Sequence, residues 1–484
     1  MREPAIIRDG VLRSVKNPRT NQYIYLLSKI MKNKFLFIGT IAVAVTLSII
    51  SCKKNNDNNN NSNKVTGYLY TTTNGESTNQ VVRFSRMSDG SLTEEKSFTT
   101  NSNGGANVAA GGDAHGDFDA QGAVQIIGNY LLNVNAGGNQ VSVFSLDRKN
   151  GDLALRNNVS SGGTRPVSIA YLKKTGSADE YWVVVGNQWN NPNIQKDGAN
   201  IQRYPNNAFY QQDLTLADAT DNERNITLFT FNTTSGALTL VKQLDKYVRQ
   251  NGGPTTVSFS ADGTKLAVST WGIAHFDTQV TSLAEQRPSR VYVYNFTNGD
   301  ISGKRYFEEA GISGTIGFNW DKIGSSKLYV SNFNLIPTKR DNSVTVLNDN
   351  GTLVSKSANF SATAASAINE SCWTALNISG DKLYVASFQT NLVSTFGVSG
   401  GNLTFGSTEA RADLAPHGDS KELWLSPDNK YLYNLGALQS FSINIFDVNG
   451  AGTKYRSQTV LSTTASGKGI AGKYNFLGLT GFDF

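Results

Sequence analysis

The chain has 484 residues, with 44 Lys and Arg against 38 Asp and Glu, a formal charge of +6, three His and two Cys. Such a basic excess would suit nucleic acid or an anionic lipid surface, but eight of the 44 basic residues and only two of the 38 acids lie in residues 1–51, which leaves 36 of each beyond them. A neutral remainder excludes nucleic acid as the expected partner, two cysteines exclude a disulfide framework, and a fold of this length must therefore rest on a large apolar core.

In chain order, Met31 opens "MKNKFLFIGTIAVAVTLSIISC", a short basic stretch followed by an apolar run from Phe35 to Ile50, the plan of a secretory signal peptide. Sixteen residues of helix rise about 24 Å, short of the roughly 30 Å hydrocarbon core of a bilayer, so export rather than spanning is expected. The end "Ile49-Ile50-Ser51-Cys52" resembles the lipobox of bacterial lipoproteins. That resemblance implies lipidation of Cys52 and a membrane partner through the lipid. Lys53 in place of Asp resembles outer-membrane sorting, so the expected place is the bacterial envelope. Residues 52–64, nearly all Asn and Lys, cannot bury a core and read as a flexible tether, leaving 65–484 as the folded domain.

From residue 65 onward one phrase repeats. The alternating strand occurs as "VVRFSR" (81–86), "VSVFSL" (141–146), "ITLFTF" (226–231), "VYVYNF" (291–296), "VTVLND" (344–349), "VSTFGV" (393–398) and "INIFDV" (443–448). Six of these run into a polar turn and a second strand, as in "DGSL", "NGDL" and "NGTL", the signature of a hairpin. A second recurrent pair precedes them, as in "VSFSADGTKLAVST" and "TALNISGDKLYVAS". Each copy is thus four strands, A to D, and the pattern predicts an all-β, seven-bladed β-propeller of antiparallel blades. The first copy starts at "VTGYLYTTT" without its A strand, and the chain ends in an unpaired "KYNFLGLTGFDF". The last strand is therefore predicted to complete the first blade and close a monomeric ring.

Antiparallel blades place the A–B and C–D turns on one face of the disc and the B–C and D–A loops on the other. The first set is short. The second includes 99–120, about 188–224 and about 272–288, and long loops on a rigid scaffold usually carry function, so this face is the expected site. All three histidines fall there in a His-x-Asp spelling: His115 with Asp117, His275 with Asp277, and His417 with Asp419. Either these pairs hold a divalent metal or orient an acid–base group, or the aspartates make Asx turns and the histidines are solvated. The insertion after residue 188 brings Trp189, Tyr204, Phe209 and Tyr210 among many Asn and Gln. With Trp271, at the lip of the next excursion, and with His115 and His275, Trp189, Tyr204 and Tyr210 form a candidate set for a sugar or another polar ring. The same aromatics could instead pin the loop to its own propeller. Trp320, Trp373 and Trp424 lie in A strands and read as core.

The repeated "GxLTL" followed by "GxxPxxxxxSxDGxxLxVxN" resembles the seven-bladed lactonase family, which includes relatives of 6-phosphogluconolactonase and carboxymuconate cyclase, over about residues 65–484. The resemblance implies a site at the mouth of the loop-bearing face, with an acid–base His, arginines for an anionic substrate and a Glu. Here the family's "GPRH" reads "GGPTT", with Thr255 and Thr256 in place of Arg and His, and its "SNR" reads "SNF" with Phe333. Arg165, His417, Glu422 and Glu370 are the positions onto which the family roles carry over. In a hydrolytic reading His417 activates water and Arg165 stabilises an oxyanion; in a structural one Arg165 and Glu422 make ion pairs. Three readings follow: an envelope-anchored propeller that binds a ligand or partner, a sugar-lactone hydrolase or muconate-type cycloisomerase, or a glycan-binding accessory of an uptake system.

Overall fold

The computed structural model describes residues 63–484, apart from 76–77, 106–118, 189–193, 198–199, 204–223, 248–251, 273–287, 310–311, 313, 323, 325, 333–342, 359–369, 412–417 and 462–474. Seven four-stranded antiparallel sheets are present, and each contains one of the seven repeated strands as its third member. The first blade runs, from inside out, Leu477–Asp483, Val65–Thr72, Gln80–Met87 and Leu92–Thr99, so the last strand of the chain supplies the A strand the first copy lacks. The other A strands are Val124–Ile127, Pro166–Lys173, Pro254–Phe259, Phe318–Trp320, Ser371–Leu376 and Ser420–Leu425.

The sequence pattern explains why these blades need one another. In every repeated C strand the first and fourth positions are buried, and the fourth is a ring or Leu: Phe84, Phe144, Phe229, Tyr294, Leu347, Phe396 and Phe446. A strand buried on both faces must be covered from both sides. Accordingly seven apolar clusters occur, one at each junction between adjacent blades, from Tyr68–Phe144 (blades 1 and 2) round to Phe84–Tyr433 (blades 7 and 1). No blade owns a core, which is why a single copy could not fold alone. The outermost strands, such as Ala237–Lys246 and Asp300–Phe307, are largely exposed.

Closure is fixed by more than the strand ladder. Arg86 on the third strand of blade 1 forms an ion pair with Asp483, with its Nε 2.8 Å from Oδ1, and Thr71 Oγ1 donates to the Gly478 carbonyl at 2.7 Å. Gly478 has φ +70° and a side-chain carbon there would lie 2.7 Å from Val124 Cγ2, so glycine lets the closing strand approach blade 2.

The two faces differ as expected. No A–B or C–D turn exceeds six residues, the longest being segments such as 147–152, 174–179 and 321–326, whereas the B–C connection of blade 3 spans 188–224 and the D–A connection after blade 1 spans 100–123. The blade 3 excursion carries a small hairpin, Ile194–Asp197 paired with Asn200–Arg203.

Candidate functional site in the central bore

Seven inner strands in a ring leave a bore, and the chain fills it with its own backbone. The connection from blade 1 to blade 2 ends in Asp119-Ala120-Gln121-Gly122, and this tetrapeptide is hydrogen-bonded to five other blades. Blade 3 donates from Gln188 Nε2 to the Asp119 carbonyl (3.1 Å), from Ser168 Oγ to the Gln121 carbonyl (2.6 Å) and from the Ile169 N–H to the Gly122 carbonyl (2.9 Å). The Gln121 N–H faces the Thr255 carbonyl and Thr256 Oγ1 of blade 4, both at 3.3 Å, and its Nε2 donates to the Phe318 carbonyl of blade 5 at 3.2 Å. In blade 6 Trp373 Nε1 donates to the Ala120 carbonyl at 2.8 Å and the Thr374 N–H to Gln121 Oε1 at 3.0 Å. Blade 7 accepts the Gly122 N–H at Glu422 Oε1, 2.8 Å away. Gly317 permits this fit, because a side-chain carbon there would lie 2.4 Å from Gln121 Oε1.

Glu422 is the chemically unusual member of this arrangement. Burial pushes its carboxyl up to about 8, against the pull of the Gly122 and Leu479 amides toward the ionised form, and Oε2 makes no hydrogen bond of good geometry. At neutral pH the group is a carboxylic acid that can donate a proton or a hydrogen bond. Among the described residues no ion-pair partner reaches it.

Thr255 and Thr256, which stand where the resemblance implied Arg and His, are fully engaged. Thr255 Oγ1 is 2.7 Å from Ser269 Oγ and donates to the Thr315 carbonyl at 2.8 Å, while Thr256 Oγ1 donates to the Ile316 carbonyl at 2.6 Å. Both side chains are buried and tie blade 4 to blade 5.

The remaining candidates separate. Arg165 immediately precedes the A strand of blade 3 with φ +57°; its N–H donates to Asn139 Oδ1 at 2.8 Å and its carbonyl accepts from the Gln188 N–H at 3.0 Å. Glu370, buried with φ +54°, precedes the A strand of blade 6, where its carbonyl accepts from the Phe388 N–H. Asp419 corrects the metal reading at its position. Its side chain and that of Arg411 are wholly buried, 2.9 Å apart; Oδ1 accepts the Leu438 and Gln439 N–H groups at 2.8 and 2.7 Å, and Oδ2 accepts Ser440 Oγ at 2.6 Å. A carboxylate so occupied is a loop anchor, with no lone pair left to offer a cation. Trp271 is likewise corrected: it is 1 % exposed and packs with Ile316, Cys372 and Trp373, so its face cannot serve as a stacking platform. Cys52, His115, Asp117, Trp189, Tyr204, Tyr210, His275, Asp277 and His417 lie outside the described residues. Among the described residues no cluster of His, Cys, Asp or Glu could hold a metal. Trp320, Trp373 and Trp424 pack in the core as expected, the last only partly buried.

The tetrapeptide divides the bore. Two cavities of about 240 and 230 Å³ adjoin it, sharing Gln121 and Asn319 in their walls. Their other walls come from the A strands and the A–B turns, with Tyr171 and Phe259 near strand ends and Glu422 at mid-strand in one, and Trp424 with the turn residues Lys322 and Ile378 in the other. Both therefore face the short-turn side, opposite the long loops. Of the predicted site residues that the structure describes, only Glu422 lines either cavity; Arg165, Glu370 and Asp419 line neither. Sequence reasoning missed Gln121, the hub of the bore, and no local signal marks it, since its partners are 47 to 253 residues away.

No protein-family model and no curated protein sequence matches the chain. Solved structures do resemble it. A candidate 6-phosphogluconolactonase of Bacteroides fragilis aligns over 87 % of this chain and 99 % of its own, with a TM-score of 0.53 and 15 % identity. The periplasmic gluconolactonase PpgL of Pseudomonas aeruginosa aligns over 85 % and 99 %, with a TM-score of 0.53 and 15 % identity. A protein from Lactobacillus plantarum aligns over 86 % and 99 %, with a TM-score of 0.53 and 13 % identity. At such identities the likeness is one of fold: the chain is built as a seven-bladed propeller of the shape these lactonase-like proteins share.

Proposed function

We propose that the protein is an envelope-anchored, lactonase-like propeller lipoprotein that binds a ligand or partner on its long-loop face. The observation that carries this reading is the fate of Thr255 and Thr256. Where the family resemblance calls for a cationic and an acid–base side chain, two buried hydroxyls donate to carbonyls of the connection into the next blade. The long connections, with their aromatic and amide side chains, supply the contact surface.

The test is turnover. Glucono-δ-lactone and 6-phosphogluconolactone are incubated with the purified protein, and the expected rate equals spontaneous hydrolysis. Turnover abolished by His417→Ala overturns the reading in favour of a hydrolase. Saturable oligosaccharide binding that is lost in Trp189→Ala supports a glycan-binding role. The anchor is tested separately: wild type should carry the lipid mass and fractionate with membranes, and Cys52→Ser should lose both.

One observation favours the hydrolytic alternative. Glu422 is a protonated carboxyl in the bore, the state a general acid needs. The gluconolactonase among the structural neighbours names the substrate class that reading would take.

A further inference from the structure

We propose that the short-turn face of the propeller is turned toward the lipid surface that anchors the chain, so that the long-loop face looks into the aqueous compartment and takes a water-borne ligand or partner. The inference rests on the lipid anchor at Cys52 proposed above, and it adds which face that anchor holds down.

The point where the chain enters the fold carries it. Val65–Thr72 is the B strand of blade 1, and a B strand starts on the short-turn side. The two residues before it are fixed there as well. The Ser88 N–H donates to the Lys64 carbonyl at 2.7 Å, and the Lys64 N–H donates to Ser88 Oγ at 3.2 Å. Asn63 Oδ1 accepts from Ser88 Oγ at 3.0 Å and from the Asp89 N–H at 3.3 Å. Asn63 therefore lies against the C–D turn of blade 1, and only residues 53–62 separate it from Cys52.

That link is short for the size of the blade. Ten residues reach at most about 35 Å, at ~3.5 Å each. With the short-turn face toward the bilayer, all of that length is free stand-off. With the disc inverted, the chain must first run the height of Leu92–Thr99, eight residues at about 3.3 Å or roughly 26 Å, to gain the other side. The few ångströms left would then have to accommodate the long connections of that side, 100–123 and 188–224. Charge does not compete with this geometry. The short turns carry both signs, with Asp147, Asp262 and Asp428 beside Lys149 and Lys430, and Tyr171 and Ile378 are exposed among them. Affinity for the bilayer then comes from the acyl anchor, and orientation from where the link meets the fold.

The experiment reads distance to the bilayer by energy transfer. Lipidated protein purified from membranes receives one fluorophore, through Ala261→Cys in the A–B turn of blade 4 or Gln439→Cys in the B–C loop of blade 7, both exposed positions. Cys372 is buried and does not compete for the label. The acceptor is a labelled lipid in vesicles of phosphatidylethanolamine and phosphatidylglycerol, and thermal melts matching wild type show that both variants are folded. Transfer from the Ala261→Cys label should be at least about twofold more efficient, because the height of a blade, roughly 26 Å, separates the two positions. Inserting about thirty Gly and Ser residues after Lys53 should shrink that ratio toward one. Equal or reversed efficiencies in vesicle-bound protein overturn the orientation and leave the anchor standing, and a ratio unmoved by the longer link overturns the link as its cause. Protein that carries no lipid mass and does not sediment with vesicles overturns the anchor and the orientation together.

Discussion

Replacing Glu422 by Gln should remove a pH dependence of stability that the wild type carries. The carboxyl rises from its ordinary 4.5 to about 8 because burial disfavours the anion. At ~1.4 kcal/mol per pH unit, the difference between the two values amounts to about 5 kcal/mol. The sign follows from proton counting. Between the two pKa values the folded protein holds a proton that the unfolded chain has lost, so stability is full below about pH 4.5 and is lost as pH rises through about 8. About 4 kcal/mol of that loss falls between roughly pH 5 and pH 9. Glutamine cannot ionise, keeps an oxygen for the Gly122 N–H, and should show none of it. Urea denaturation of both proteins across this range gives the difference directly: near-equal stability at the acid end, and a Glu422→Gln variant several kcal/mol more stable than wild type at the alkaline end. Parallel curves, or a wild type that gains on the variant as pH rises, would refute the assignment of a buried, proton-holding carboxyl.

Other changes probe the frame around the bore. Asp419→Ala leaves the Arg411 guanidinium buried without its counter-charge and should destabilise by about 3–5 kcal/mol in the same assay, with Asp419→Asn less severe. Gly478→Ala forces a side chain into a left-handed backbone 2.7 Å from Val124 Cγ2, and calorimetry should report a loss of more than about 1 kcal/mol at the closing seam. Trp373→Phe removes the indole bond to the Ala120 carbonyl; a loss of about 1–3 kcal/mol and faster amide exchange at residues 120–122 are expected.

The propeller was legible because its information is local and repeated. Period-two strands such as Val141–Leu146, punctuated by "NGDL", state their own conformation, and a missing first strand beside an orphan last one states the closure. The bore was not legible, because its hub is one glutamine whose meaning comes from Ser168, Thr255, Phe318 and Thr374, all remote in sequence. Asp419 misled for a related reason. An aspartate two residues after a histidine is spelled alike whether it binds a cation or receives the amides of residues 438 and 439, and only the neighbouring loop decides. Trp271 stands at a strand end, where sequence cannot tell an inward ring from an outward one. Thr255 and Thr256 stand out in the sequence where the lactonase resemblance implies Arg and His, but their bonds to the next blade could be seen only in the fold.

The seam between the first and last strands bears on how the protein is made. Thr71 meets Gly478 across 407 positions of chain, so a polypeptide emerging from its amino end must wait for its final stretch before the opening sheet has an inner neighbour. Until then Val65–Thr72 is a bare margin, open to mispairing with another nascent molecule. Contacts of such long reach also form slowly. Biogenesis should therefore be a race between late ring sealing and aggregation, won only when those closing residues arrive intact.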